Sequence, residues 1–395
     1  MARLLCAIRV PYTNIWPTRT MKVLFWSELF WPYIGGAEVF GAKLLRALAT
    51  RKNQFAVITS HDTLDLPDCD SYEGIPVYRF PFRAVLSGRA LNRFQEVIQG
   101  VARVKAEFQP DLVHLNALGP SATFHVRAAG NGKVPTLFTL QQEVLPSQTG
   151  SGSLLYQLLS AAARVVGVSQ SVLEQVRNLA PQISPKASCI YNGVEPPPVF
   201  PSPLPFHPPR LLCLGRLVPA KRIEWALEVI SRLRDRFPGL ELLVAGDGPL
   251  RGVLEARAEE LGVRDCVRFL GWVEPENVYE TLNQATCVLM PSLREGLPVA
   301  GVQAAMMGRP IVATSAGGLV EVVRHPESGL LVELDDLEGF VSAVGQLLEN
   351  PERAAHMGAA ARAHALRTFE WTSTVESYQH IYNDVAGNGA PGDFS

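Results

Sequence analysis

Short apolar runs of strand length recur along the chain, each followed by a polar, often glycine-bearing loop and then by residues at helical spacing. In the first half these runs are "KVLFWS" (22–27), "FAVITS" (55–60), "PDLVHLN" (110–116), "PTLFTLQQE" (135–143) and the opening of "ARVVGVSQSVLEQV" (163–176). In the second half they are "RLLCLGRLVPAKR" (210–222), "LELLVAGDGPLRG" (240–252), "VRFLGWV" (267–273) and "ATCVLMPS" (285–292). Near-continuous apolar strands alternating with helices predict parallel sheets covered on both faces. Between the two series lies "PPPVFPSPLPFHPP" (196–209), which suits neither helix nor central strand and reads as a semi-rigid connector. The pattern therefore predicts an α/β protein of two Rossmann-like, doubly wound domains. The expected division is an extension over 1–20, a first domain over 21–196, a linker over 197–209 and a second domain over 210–368, then a helix over 369–385 and a disordered tail over 386–395. Another helix is expected over 89–108, with Leu91, Phe94, Val97, Ile98, Val101, Val104 and Phe108 on its apolar face.

Composition narrows the class. At 395 residues, 47% hydrophobic and 19% charged, the chain is globular and long enough for two cores. A net charge of −2 gives no global case for nucleic-acid binding. The six cysteines, Cys6, Cys69, Cys189, Cys213, Cys266 and Cys287, show no ligand spacing and read as reduced thiols of a cytoplasmic protein. No apolar run reaches the length of a membrane-spanning helix. Arg79, Arg83, Arg89, Arg93, Arg103 and Lys105 cluster on or near the 89–108 helix. A solvated face is the stronger reading; peripheral contact with anionic lipid at the inner face of the membrane is the weaker one. Asp68-Cys69-Asp70 is a DxD pattern, expected to be solvated loop, and no metal is predicted.

The densest chemical signal is "MPSLREGLPVAGVQAAMMGRPIVATSAGGLVEVV" (290–323), which reads as strand end, glycine-bearing loop, helix, strand and a second glycine loop. Such a loop presents backbone N–H groups and a helix N-terminus to an anion, and Glu295 beside it suits hydroxyl donors. A sugar attached to a phosphate satisfies both. Arg216 and Lys221 follow a strand at a spacing that can clamp a diphosphate. Gly246, Gly248 and Gly252 approach a dinucleotide fingerprint, but the last gap is one residue too long and Pro249 intrudes, so a strand-to-helix turn near the nucleotide is expected. The turn ending at Val273 is expected to face a base. In the first half, Gly35 and Gly36 end a strand loop where ligands collect, with Glu38 at the helix entry. His114, Asn116, Gln141, Gln142 and Glu143 stand at strand ends that deliver polar groups to one sheet edge.

From about Met21 to Val385 the chain resembles the retaining GT-B glycosyltransferases of family 4. The resemblance is carried by "FWPYIGGAE", "PDLVHLN", "VGVSQSV", "YNGVEP", "GRLVPAKR", "AGDGPLR", "GWV", "MPSLREGLPVAGVQAAMMGRPIVAT" and "GGLVEVV" in order. It implies two domains facing a cleft, with donor bound mainly to the second and acceptor to the first, and a final helix returning to the first. It assigns Arg216 and Lys221 to the diphosphate and Glu295 to the donor sugar's hydroxyls. Gly296, Leu297, Pro298 and Val299 then fall at the phosphate, and Gly35 and Gly36 approach it from the other domain. The chain departs from the pattern twice. Gln303 stands where a second glutamate usually holds the ribose, and Gln141 stands where a histidine is common. A glutamine accepts through its carbonyl oxygen but carries no charge and does not titrate at neutral pH.

The resemblance implies a hexosyltransferase that uses a nucleotide-diphosphate sugar, needs no cofactor, and acts on a glycan, lipid-linked or small-molecule acceptor. Glu295, Arg216, Lys221 and Gln141 are its expected catalytic residues, and Glu38, His114 and Asn116 its acceptor-side candidates. No carboxylate is placed as a nucleophile, which favours front-face transfer with retention, the leaving phosphate taking the acceptor's proton. The competing readings are a sugar-nucleotide epimerase of the same fold and, given the two glutamines, a binding protein without turnover.

Overall fold

The computed structural model describes residues 20–33, 35–61, 64–128, 134–150 and 152–385. The expected N-terminal extension, except Thr20, and the expected tail lie outside this range, as does Cys6. The chain divides into two units. Unit 1 runs through Val168, resumes over Val172–Ile190 and includes the chain from Val375 onward; unit 2 comprises Ser169–Ser171 and Tyr191–Thr374.

Unit 1 is built on an eight-stranded sheet. Its strands are β1 (Met21–Trp26), β2 (Asn53–Ser60), β3 (Cys69–Tyr72), β4 (Ile75–Phe80), β5 (Leu112–Leu115), β6 (Thr136–Leu140), β7 (Arg164–Gly167) and β8 (Ala187–Cys189). Their order is β3-β4-β2-β1-β5-β6-β7-β8, with only the edge pair β3-β4 antiparallel. The central strands are apolar throughout because helices cover both faces; Val23, Leu24, Phe25, Ala56, Val57 and Ile58 are fully buried. The chain leaves β1 to one side for β2 and returns to its other side for β5, so the order reverses between β1 and β5. In an open α/β sheet that reversal leaves a crevice beyond the strands' C-terminal ends.

Unit 2 repeats the logic with six parallel strands. They are β9 (Arg210–Leu214), β10 (Glu241–Ala245), β11 (Val267–Gly271), β12 (Cys287–Met290), β13 (Ile311–Thr314) and β14 (Gly329–Val332), ordered β11-β10-β9-β12-β13-β14. The reversal falls between β9 and β12.

Several expectations are corrected. The proline-rich stretch, expected as a semi-rigid connector between the domains, lies inside unit 2, and the division falls between Ile190 and Tyr191. Arg309, fully buried, holds it there by donating to the carbonyls of Ser202, Ala285 and Met307. Asn283 fixes it further, accepting from Ser202 N and donating to the Phe200 carbonyl. With carbonyls rather than a carboxylate around it, burial lowers the Arg309 guanidinium to about 10.

The DxD pattern is also not free loop. Asp70 lies in edge strand β3 and pairs with Arg79 at 3.2 Å, while Asp68 pairs with His61 at 2.7 Å. The 89–108 segment is a short 3-10 turn, Leu91–Arg93, followed by the helix Phe94–Phe108. Its basic face is largely engaged. Arg83 pairs with Glu28 and Arg93 with Glu96, while Lys105 is turned inward onto the carbonyls of His125 and Ala128, where burial lowers it to about 8.

The helix Trp371–Val385 belongs to unit 1 from Val375 onward and buries Val375, Tyr378, Ile381 and Tyr382. Tyr378 and Tyr382 pack against His114. Its Nδ1 lies 2.7 Å from the Tyr382 hydroxyl, its Nε2 lies 2.9 Å from Thr139 Oγ1, and its ring stacks on Tyr378. With no exposure and both nitrogens engaged, His114 is a core residue and not part of an acceptor surface.

Burial lowers the His114 imidazole to about 3, and burial together with Lys105 does the same to His125. In the unfolded chain each titrates near 6.5. Below that value the unfolded state binds protons that the folded state refuses, so stability falls with pH until about 3. The expected slope is ~1.4 kcal/mol per pH unit for each histidine. Urea unfolding of unit 1 at pH 7 and pH 5 should show the loss, and His114→Gln should remove about half of it.

Candidate active site

In unit 2 the functional side chains gather at the β9/β12 reversal. β9 ends at Leu214, Gly215 and Arg216 follow, and a 3-10 turn over Pro219–Lys221 turns Lys221 back toward the loop after β12. The two loops are tied by Leu293 N donating to the Ala220 carbonyl at 2.8 Å. Across that tie Lys221 Nζ meets Glu295 Oε1 at 2.6 Å, with Glu295 only 8% exposed. Ser292 Oγ donates to the same oxygen at 2.7 Å. The Thr314 hydroxyl, on β13, donates to the Ser292 carbonyl. Two residues predicted as separate ligand groups, Lys221 and Glu295, are thus partners. Arg216 is exposed and makes no ion pair among the described residues, so it is a cation available to an anionic ligand.

After Glu295 the chain runs through buried Gly296, Leu297 and Pro298 into the helix Val299–Met306, whose N-cap is Pro298. The second glycine loop buttresses the first. Gly318 N donates to the Glu295 carbonyl at 3.2 Å, and a Cβ on Gly318 would sit 2.1 Å from the Gly296 oxygen. Gln303 lies one turn into the helix, part-exposed, and hydrogen-bonds Tyr279. The Tyr279 hydroxyl in turn donates to the Glu195 carbonyl at 3.3 Å. Burial raises that phenol above its ordinary value, and the bond with Gln303 opposes the rise.

Gly246 opens the turn between β10 and the following helix, as expected, and it also supports a neighbouring loop. At φ 138° it packs backbone to backbone on the β9 loop, and a Cβ would lie 1.9 Å from the Gly215 oxygen. Asp247 O accepts from Leu217 N at 2.9 Å beside it. The glycine turn therefore shapes the loop that carries Arg216 and Lys221. Val273 lies just beyond β11, part-exposed.

In unit 1 the candidates gather at the β1/β5 reversal. Gly35, extended at φ −165°, precedes the helix Gly36–Ala49, which has no side-chain cap. Glu38, in the first turn, lies over Gly35, its Oε2 2.2 Å from where a Cβ would stand. Gly36 is exposed, with open space where its Cβ would be. Asn116, fully buried at the end of β5, donates to the Ala37 carbonyl at 3.4 Å and accepts from Gln141 Nε2 at 2.9 Å. Gln141 is part-exposed beyond β6, so Gln141 and Asn116 form a hydrogen-bonded pair at this strand edge.

Sequence reasoning missed three residues. Ser292 carries no motif signal apart from its position three residues before Glu295. Tyr279 comes from a distant helix. Glu28 accepts from Arg83 Nε at 3.0 Å and Ser121 N at 2.9 Å, pinning the loop after β1, and its only sequence signal is a carboxylate in an aromatic loop.

Two parallel-sheet domains, with charged and polar side chains at a strand-order reversal in each, define a GT-B architecture. Comparison with known proteins agrees. A family model described as Glycosyltransferase Family 4 matches residues 34–196, and one described as Glycosyl transferases group 1 matches residues 208–350. With both halves matched, the chain belongs to the family 4 glycosyltransferases and is a transferase enzyme. It is 26% identical over 383 residues to a subunit of the human phosphatidylinositol N-acetylglucosaminyltransferase, covering 93% of this chain and 77% of that one. It is 32% identical over 197 residues to D-inositol 3-phosphate glycosyltransferase of Corynebacterium jeikeium, covering 48% of this chain and 47% of the relative. A GDP-mannose-dependent phosphatidylinositol monomannoside mannosyltransferase of Mycolicibacterium smegmatis is 34% identical over 170 residues, covering 41% and 44%. The chain thus spans less than half the length of the last two relatives. Among solved structures, sucrose-phosphate synthase from Thermosynechococcus elongatus superposes with a TM-score of 0.76 at 19% identity, covering 93% of this chain and 100% of that one. HepE from Anabaena, in complex with UDP-glucose, gives 0.73 at 19% identity, covering 92% and 100%.

Proposed function

We propose that this glycosyltransferase moves a hexosyl group from a nucleotide-diphosphate sugar to an acceptor hydroxyl, with retention of configuration and without a metal ion. The observation that carries the reading is the Lys221–Glu295–Ser292 cluster at the β9/β12 reversal, in the same loops as Arg216, which has no ion pair among the described residues. A carboxylate there accepts sugar hydroxyls, and a guanidinium beside it neutralises the charge that grows on the departing diphosphate. Arg216, the N–H groups of Gly296, Leu297 and Val299 and the start of the helix at Val299 supply that stabilisation from the protein itself. Among the unit 1 candidates, part-exposed Gln141 and Glu38 are the groups offered to the acceptor, with buried Asn116 holding Gln141 in place, while Gln303 offers its amide to the nucleotide's ribose. The relatives' activities favour an acceptor with an inositol head, free or lipid-linked, and the neighbours solved with UDP favour a UDP-sugar among donors.

No helix among the described residues is long and apolar enough to cross a membrane. A cytoplasmic enzyme that meets a lipid acceptor at the membrane's inner face fits the proposal. The engaged basic residues leave Arg89 and Arg103 as the main cations of that helix face to carry such contact.

Incubation with UDP-, GDP- and ADP-sugars, paired with inositol phosphate, phosphatidylinositol and glycan acceptors, tests the reading. The expected products are free nucleoside diphosphate and a glycoside of the donor's own anomeric configuration, read by NMR coupling constants. Excess EDTA should change the rate by less than about twofold, because the charge stabilisation comes from side chains and amides. An interconverted donor without glycoside would refute the transfer, an inverted anomer would refute retention, and loss of activity in EDTA would refute metal independence.

A further inference from the structure

We infer that Ser292 is a positioning residue for transfer: its buried hydroxyl fixes which oxygen of Glu295 is offered to the donor sugar and keeps it there after Lys221 turns to the diphosphate. The inference rests on the proposed role of Glu295 and adds a residue that the family motif did not single out.

The geometry is specific to one oxygen. Glu295 Oε1 accepts from both Lys221 Nζ at 2.6 Å and Ser292 Oγ at 2.7 Å, whereas Oε2 accepts from no described residue. The carboxylate is therefore not free to exchange its two oxygens, and Oε2 is the one presented. The two donors differ in how firmly they are held. Lys221 carries its ammonium on a flexible four-carbon stem, and its side chain is 25% exposed. A bound diphosphate brings about two negative charges beside Arg216 and competes for that ammonium. Ser292 is 2% exposed, sits immediately beyond β12, and is held through its carbonyl by Thr314 on β13. A neutral hydroxyl shielded from solvent and ligand has no reason to leave when the phosphate arrives.

A carboxylate tethered only by the lysine would lose its orientation at the moment the donor is seated. With Ser292 in place, one charge-assisted bond persists through the reaction, and the sugar finds an oriented acceptor oxygen. Lys221 is then free to serve both states, as partner of Glu295 without ligand and as a phosphate cation with it. Ser292 sets alignment, which is a requirement of the transition state more than of nucleotide binding.

The test uses the full chain, with the donor selected by the nucleotide-sugar panel and its own nucleoside diphosphate. Ser292→Ala is expected to lower kcat roughly tenfold to a hundredfold while leaving nucleoside diphosphate affinity within about twofold. The extra affinity that the attached sugar confers should shrink in the same variant. Ser292→Thr, which keeps the hydroxyl, should recover most of the lost kcat. Wild-type kcat in Ser292→Ala, alongside an impaired Glu295→Gln, would overturn the inference and leave the function standing. Equal loss of rate and of thermal stability in the alanine and threonine variants would also overturn it, because that marks packing alone. Absence of transfer by the wild type with every donor overturns the function itself and the inference with it.

Discussion

Glu295→Ala should reduce sugar transfer by about a thousandfold or more while changing nucleoside diphosphate affinity only a few-fold. The split follows from where the carboxylate stands. Glu295 lies between a lysine and a serine, 8% exposed, and its second carboxylate oxygen accepts from no described residue. The diphosphate depends on Arg216, Lys221, the loop amides and the helix start, none of which the substitution removes. Truncation would also leave Lys221 without its partner, and an uncompensated, mostly buried ammonium is costly. With a side-chain exposure of 25%, Lys221 can turn outward, so the expected effect on folding is modest compared with that on rate. Glu295→Gln separates charge from shape, since it keeps an acceptor for Ser292 but loses the anionic attraction for hydroxyls. It should fall between wild type and alanine. Initial rates and calorimetric titration of the nucleoside diphosphate provide the two measurements, and wild-type turnover in the alanine variant would remove Glu295 from the mechanism.

The second large effect is expected at a glycine that supports the β9 loop. Gly246→Ala should destabilise unit 2 by about 3 kcal/mol or more and weaken donor binding at least tenfold in whatever folds. Gly246 adopts φ 138°, where a side chain is strained, and an added Cβ would stand 1.9 Å from the Gly215 carbonyl oxygen. Relief requires the β9 loop to move, and that loop carries Arg216 and Lys221. Gly36→Ala is the matching control, because nothing lies within 4 Å of its would-be Cβ and it opens a helix. Its thermal transition should stay close to the wild type's. A Gly246→Ala variant with wild-type stability and donor affinity would show that the close approach is not needed.

The fold was legible because its signals are local and repeated. Each buried strand is a continuous apolar run, since a parallel sheet hides both faces, and each is followed by a helix that the next run must wait for. The candidate groups of unit 2 were legible for the same reason, as they lie in loops that directly follow strands. Partnership was not. Nothing in the spacing of Lys221 and Glu295 shows that they share a hydrogen bond, because the contact depends on β9 and β12 being neighbours in the sheet. His114 looked like a site residue because it ends a strand, and it became core because Tyr378 and Tyr382 arrive from residues more than 260 positions away. Asp68 remains exposed as expected, but the partners of Asp68 and Asp70 were not legible, because His61 and Arg79 reach them from the ends of β2 and β4.

The amino-acid sequence by itself determined the two-sheet architecture, the loops that bear charge and glycine, and the membership of the family, all of which rest on periodicity and on residues close together in the chain. Only the tertiary structure decided which of those residues act together. It paired Glu295 with Lys221 and Ser292, left Arg216 unpaired, turned Gly246 into a support for the β9 loop, withdrew His114 into the core and fastened the proline-rich stretch to unit 2. The physical reason is that strand order, rather than position along the chain, sets which loops meet. Burial then fixes whether a polar group is satisfied by its neighbours or left for a ligand.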